Sequence, residues 1–225
     1  MYVLIGGAGL VGLNLAQRLV ELDHTVAIID VDANACRYAR EQVGVMAFEG
    51  SAVSTEVLIE AGIRKADALA AVLRSDALNL AMVTLAKHYG VSHIVTRMRH
   101  RDFDEPLRIS GANHVISTID LAVSTMVNAI EYPQVESMMH FEQGQIEILK
   151  LAVPKNCDIA GRSVADVAQD AAFPSGSLII GYQSHPHENL IIPNGNTILE
   201  PESTLLIVTK PGAVHEVVNF IEACR

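Results

Sequence analysis

The spacing of Gly7, Gly9 and Gly12, set between a short apolar run and a helix-periodic stretch, limits what this chain can fold into more than any other feature. Tyr-Val-Leu-Ile at residues 2–5 predicts a strand buried on both faces of a parallel sheet. In the G-x-G-x-x-G pattern that follows, Gly7 permits a tight turn, Gly9 lets backbone approach a pyrophosphate, and Gly12 lets a helix pack closely on the strand. A helix starting near Gly9 aims its free N–H groups and positive dipole end at that phosphate. Leu13, Ala16, Leu19 and Val20 keep helical periodicity, Asp23-His24 breaks it, and Thr-Val-Ala-Ile-Ile predicts a second strand that ends at Asp30. An acidic residue about twenty positions beyond the loop is where adenosine ribose hydroxyls are held, and its charge repels a 2′-phosphate. The pattern therefore favours NAD or an adenine nucleotide over NADP.

At 225 residues the chain has room for such a domain plus a second, smaller one. Half the residues are hydrophobic, but few are aromatic and none is tryptophan, so the cores must be aliphatic. A formal net charge of -10 argues against nucleic acid, whose phosphates demand a basic surface. Cys36, Cys157 and Cys224 lie far apart without metal spacing and read as reduced thiols. A first strand at residue 2 leaves no room for a targeting peptide, and no stretch approaches the roughly 18 to 20 apolar residues of a membrane span. The expectation is a cytoplasmic protein that reaches a membrane only through a partner.

Further along, a helix is expected over 32–42 with Asp32 as N-cap, then a strand at 45–48, a helix at 53–61 and a strand at 68–73. Helices at 76–89 and 102–110 alternate with strands at 93–97 and 114–116. Six strands alternating with helices predict an α/β fold, a doubly wound parallel Rossmann sheet. Ligands in such sheets sit at the carboxyl ends of the strands, which selects Gly7 to Gly12, Asp30, Gly50-Ser51, Leu73-Arg74 and Arg97. A helix at 120–131 is apolar over more than one face, which calls for a second partner, and Tyr132-Pro133 stops it. Strands at 146–153, 178–183, 190–192 and 205–209, with helices at 163–170 and 212–223, then predict a smaller α+β module.

The chain resembles the TrkA-like regulators of potassium uptake, built from an RCK N-terminal domain and a smaller RCK C-terminal domain. The resemblance runs through VLIEAGIRKADALAAVLRSDALNLAMVTLAKHYGV at 57–91, with its Asp and Asn opening a helix, through Ile130-Glu-Tyr-Pro133, and through LIIPNGNTILEPESTLLIVTKPGAV at 190–214. It implies an N-domain at 1–134 that includes the crossover helix and a C-domain at 135–225. It also implies a non-enzymatic, nucleotide-sensing subunit whose homodimers assemble into a ring and gate a membrane potassium transporter or channel. The implied cofactor is NAD or NADH, with ATP or ADP as the alternative. Backbone of Gly7, Ala8, Gly9, Leu10, Val11 and Gly12 would take the pyrophosphate, Asp30 the ribose, and Leu73, Arg74 and Arg97 the far side of the ligand. Leu10 stands where many relatives have Arg, and Ser51 where many have Asp; both departures weaken an ATP-specific reading more than a dinucleotide one.

Arg97, Arg99, His100 and Arg101 form the densest positive cluster. Arg97 and Arg74 keep two readings, a phosphate or partner contact and a solvated side chain; the other three read as solvated loop. His185, His187 and Glu188 carry metal-ligating groups, but no further ligand stands near them in sequence. No G-x-S-x-G elbow, P-loop or H-E-x-x-H occurs, and no histidine and carboxylate pair can be assigned to face a nicotinamide. Binding without turnover is favoured over the rivals, a small NAD-dependent oxidoreductase and a regulator that senses its ligand through the C-terminal module.

Overall fold

Strand β1 (Tyr2–Gly6) has side chains buried on both faces, and the two faces build separate cores. Val3 and Ile5 pack with Ala16 of helix α1 (Leu10–Glu21), whereas Leu4 packs with Leu58, Met82 and Leu107 on the opposite face. An unbroken apolar strand can satisfy two helical layers because successive side chains point to opposite sides. In the computed structural model, which describes residues 1–141 and 145–223, this strand is the centre of a six-stranded sheet of order β3-β2-β1-β4-β5-β6. The other strands are β2 (Thr25–Asp30), β3 (Met46–Glu49), β4 (Ala68–Ala71), β5 (His93–Met98) and β6 (His114–Ser117). Every pairing is parallel, and the order reverses between β1 and β4. The doubly wound Rossmann sheet expected from the sequence is the fold of this unit, which spans Met1–Leu121. Its crevice lies at the reversal, outside the carboxyl ends of β1 and β4.

The connecting helices are α2 (Ala33–Tyr38), α3 (Thr55–Glu60), α4 (Asp76–His88) and α5 (Asp104–Ile109). Asp32 caps α2 as expected, accepting from the Asn34 N–H at 2.8 Å. The predicted helix at 32–42 is not uniformly α: a π-helical turn, Ala39–Val43, follows α2 and stops at Gly44, whose φ of +77° only glycine adopts freely. Helix α6 (Thr118–Glu131) follows β6.

The second unit, Ala122–Arg225, has its own core and an antiparallel sheet of order β7-β8-β10-β9. Its strands are β7 (Val135–Phe141), β8 (Ile146–Ala152), β9 (Leu178–Gln183) and β10 (Thr204–Thr209). Helices α7 (Val164–Ala168) and α8 (Val214–Glu222) contribute Val164, Val167, Val217, Val218 and Ile221 to that core. This is the expected α+β module, with two differences. Strand β7 was not anticipated, because a register shift between Val135 and Ser137 breaks the period-two alternation by which strands are read. The strand expected at 190–192 is reduced to one bridge, in which Ile191 and Tyr182 exchange backbone hydrogen bonds of 2.8 and 2.9 Å. Cys36 and Cys157 are buried free thiols, and Cys224 lies outside the described residues.

The approach of α1 to β1 is tight at one glycine. A Cβ on Gly12 would stand 1.8 Å from the Gly7 carbonyl oxygen, whereas a Cβ on Gly9 would meet nothing within 4 Å. Gly12→Ala is expected to destabilise the protein by on the order of 3 kcal/mol, since backbone must move to admit the methyl. Gly9→Ala should stay within about 0.5 kcal/mol of the parent. Urea unfolding midpoints of the two variants check the contrast.

Candidate functional site

Where the sheet reverses, a cavity of about 600 Å³ opens between the glycine loop and the ends of β2, β4 and β5. Gly7, Ala8, Gly9, Leu10 and Val11 line one wall, Asp30 and Asp32 a second, and Leu73, Arg74 and Arg97 a third. Nine of the eleven sequence-predicted site residues thus share one cavity. Gly12 sits beneath the loop and contributes close packing. Ser51 does not line the cavity; its hydroxyl accepts from the Val53 N–H at 3.4 Å within its own turn.

The loop wall presents donors. Helix α1 has Gly9 as its N-cap, which offers no side-chain cap, and its first turn holds no acidic residue. The orphan N–H groups of that turn and the positive end of the helix dipole therefore remain for an anion. The loop itself is held by Gly7, whose N–H donates to the Ile29 carbonyl at 2.8 Å, and by Ala8, whose N–H donates to Asp30 Oδ2 at 2.6 Å. Asp30 Oδ1 accepts from the Asp32 N–H at 2.9 Å. A carboxylate has about four lone-pair sites, so two protein donors leave capacity for two ligand hydroxyls. The tie between Asp30 and the loop was not legible in the sequence, where the two lie 22 positions apart.

The opposite wall is cationic. Arg97 is half-buried and donates through Nε to the Leu73 carbonyl at 2.9 Å. Burial, and then the neighbouring charge of Arg99, push its guanidinium pKa down; Asp76 opposes them, and Arg74 adds a smaller push downward. Among the described residues, the terminal guanidinium nitrogens of Arg97 and the whole side chain of Arg74 have no protein acceptor. Two cations without a direct ion pair thus face a donor-rich loop in a chain of net charge -10, which makes this wall locally positive.

Comparison with known families decides the relationship. A TrkA-N domain model matches residues 3–118 and a TrkA-C domain model residues 148–222. The chain belongs to the TrkA family. It is 30% identical to a Trk system potassium uptake protein TrkA homolog of Pyrococcus abyssi, over 100% of this chain and 99% of that protein. It is equally 30% identical to a TrkA homolog of Methanothermobacter thermautotrophicus, over 96% of this chain and 97% of that one. The solved structure of the GsuK channel bound to NAD superposes on the whole chain with a TM-score of 0.66 and 20% identity; the chain spans 40% of that channel subunit. At that identity the likeness establishes the fold.

Within this TrkA-family chain, Asp76 and Asn79 at the start of α4 have no role that the sequence pattern assigns. The structure buries both: Asp76 is 5% exposed and Asn79 fully buried. A polar pair three positions apart at the start of an otherwise apolar helix was the available signal. Asp76 accepts from the backbone N–H groups of Arg99 and His100, each at 3.0 Å, and from the His100 ring at 2.9 Å. Elsewhere, among the described residues, no group of three or more His, Cys, Asp or Glu side chains could hold a metal ion. No helix among them is long and apolar enough to cross a membrane.

Burial alone would raise the Asp76 carboxyl, but the hydrogen bonds from the His100 ring and from the His100 and Arg99 amides outweigh it and hold the group below its ordinary value. A carboxyl depressed in the folded state stabilises fully above the unfolded value of about 3.9 and loses that contribution as pH falls through the folded one. Asp76→Asn is expected to lower stability at neutral pH and to flatten its decline below about pH 4. Urea midpoints measured between neutral and acid pH test both effects.

Proposed function

We propose that this chain is a nucleotide-sensing regulatory subunit of a potassium-uptake system, and that its ligand is NAD or NADH. The observation that carries the reading is the three-walled cavity: free helix N–H groups on one wall, Asp30 on the second, and on the third Arg74 with the terminal guanidinium nitrogens of Arg97. Its volume of about 600 Å³ lies in the range of small-molecule sites. The N–H groups of Gly9 to Gly12, held in place by the loop at Gly7 and Ala8, supply backbone donors for a pyrophosphate, Asp30 accepts from the adenosine ribose hydroxyls, and Leu73, Arg74 and Arg97 face the remaining half of a dinucleotide. A bound nucleotide brings negative charge between the loop and the arginines. Binding without turnover is part of this reading.

Leu10 favours a dinucleotide over ATP. It lines the cavity 82% exposed, and the loop carries no cation for a third phosphate. Relatives of this chain are named for Trk potassium uptake and a structural neighbour was solved with NAD, which supports both halves of the reading. The N-terminal domain is read as residues 1–134, counting all of α6 to it although its residues from Ala122 onward group with the second compact unit, and the C-terminal one as 135–225. A membrane transporter or channel subunit would be the partner, reached from the cytoplasm without insertion into the bilayer. Regulation requires that ligands differ in affinity for two shapes of the assembly, by about 1.4 kcal/mol for each tenfold shift in population. Helix α6, with Met126 and Ile130 exposed, supplies apolar surface for a homodimer that assembles further into a ring.

A thermal-shift panel of NAD, NADH, ADP and ATP tests the ligand. At a hundredfold excess over the dissociation constant the true ligand adds about 2.7 kcal/mol, and Asp30→Ala should abolish that gain. Equal, negligible shifts from all four nucleotides would remove the reading. Light scattering at micromolar concentration should find a dimer or larger assembly, and a monomer would leave the regulatory mechanism without its second subunit.

A further inference from the structure

Strands β4 and β5 pair as far as Ala71 and Thr96, and the ladder between them ends at that rung. One side chain takes over where the backbone ladder stops. Asn79 Oδ1 accepts from the Leu73 N–H at 2.9 Å, and Asn79 Nδ2 donates to the Leu73 carbonyl at 3.1 Å and to the Arg97 carbonyl at 3.2 Å. Its amide therefore imitates the missing rung, gripping both polar backbone groups of one residue and the carbonyl of the next strand. The same Leu73 carbonyl seats Arg97 Nε at 2.9 Å. Asp76, one turn earlier on α4, fixes the chain just past Arg97 through the Arg99 and His100 N–H groups.

We propose that Asn79 is a positioning residue for anion recognition: by holding the Leu73 carbonyl and the Arg97 backbone together, it keeps the Arg97 guanidinium facing the cavity. The inference rests on the reading of that cavity as a nucleotide site. Position 79 needs one acceptor and two donors at fixed places, which an asparagine amide supplies and an aspartate does not. Without them the Leu73 carbonyl is free to turn, and Arg97 loses the support that orients its other four N–H bonds. Helix α4 is thereby the element mechanically joined to the cationic wall, so occupancy of that wall would be felt first at the start of α4.

A double-mutant cycle on the full chain tests this, with NADH fluorescence as the binding readout. Arg97→Gln is expected to weaken NADH by about tenfold, and Asn79→Ala by a similar factor while Arg97 is present. In the Arg97→Gln background Asn79→Ala should cost less than about twofold, because the group it positions is gone. Asn79→Ser, uncharged and too short to span both strand ends, is the second variant should Asn79→Ala fail to fold, and the same coupling is expected. Equal losses from the Asn79 change in both backgrounds, or none in either, overturn the inference while leaving the cavity reading intact. Unchanged NADH affinity in Arg97→Gln instead overturns the reading of the cationic wall and the inference with it. Hydrogen exchange at Arg97 Nε–H, followed by NMR without ligand, gives a readout independent of NADH. Slow exchange in the parent and faster exchange in the Asn79 variant support the positioning role; identical rates sink it whatever the nucleotide does.

Discussion

The contact between Gly12 and the Gly7 carbonyl fixes the geometry on which the site depends. With no side chain between them, the first turn of α1 lies directly on the end of β1, so its free N–H groups open at the point where the sheet order reverses. One methyl at residue 12 would force helix and strand apart. The Asp30 carboxylate then ties the loop to β2 through the Ala8 N–H, so the same group that offers acceptors to a ligand also holds the donors beside it. The two neighbouring walls of the cavity are therefore built as one unit.

The third wall is organised differently. Arg97 is repelled by Arg99 and Arg74, an effect that the nearby Asp76 charge offsets in part, and an arrangement of that kind needs structural support. It comes from the buried polar face of α4, where Asn79 and Asp76 hold the backbone of both strand ends and Asp76 makes no direct ion pair with the guanidiniums. A carboxylate placed directly on the arginines would have cancelled the charge that an anionic ligand is to meet. Asp76 is buried against backbone N–H groups and the His100 ring, and this keeps its charge satisfied locally.

The second unit holds itself together with an aliphatic core in which Leu149, Leu151, Leu205 and Ile207 of β8 and β10 meet α8. Helix α7 is closed by a reciprocal cap between Ser163 and Asp166. Along this unit Leu190, Ile191 and Ile192 leave apolar side chains exposed, Ile192 by 89%, in the stretch that the sequence presents as a strand. With a single bridge in place of a ladder, those side chains are not gathered onto the core.

How much could be read in advance follows from the range of each interaction. The first strand, the glycine turn, Asp30 and the Asp32 cap were legible because each is a local pattern: periodicity, backbone freedom and a capping offset of a few residues. Six parallel strands followed from their alternation with helices. Strand β7 was not legible, because its bulge breaks the alternation, and the π turn after α2 has no local signature. The residues that set the cavity's geometry were hidden for a different reason. Asn79 reaches Arg97 across 18 positions and Asp30 reaches Ala8 across 22, and no periodicity encodes such pairs. The sequence by itself determined the sheet, the loop and the chemical types available at the strand ends. Only the tertiary structure decided which of them share a cavity, because burial and parallel pairing bring distant strand ends together while leaving Ser51 outside.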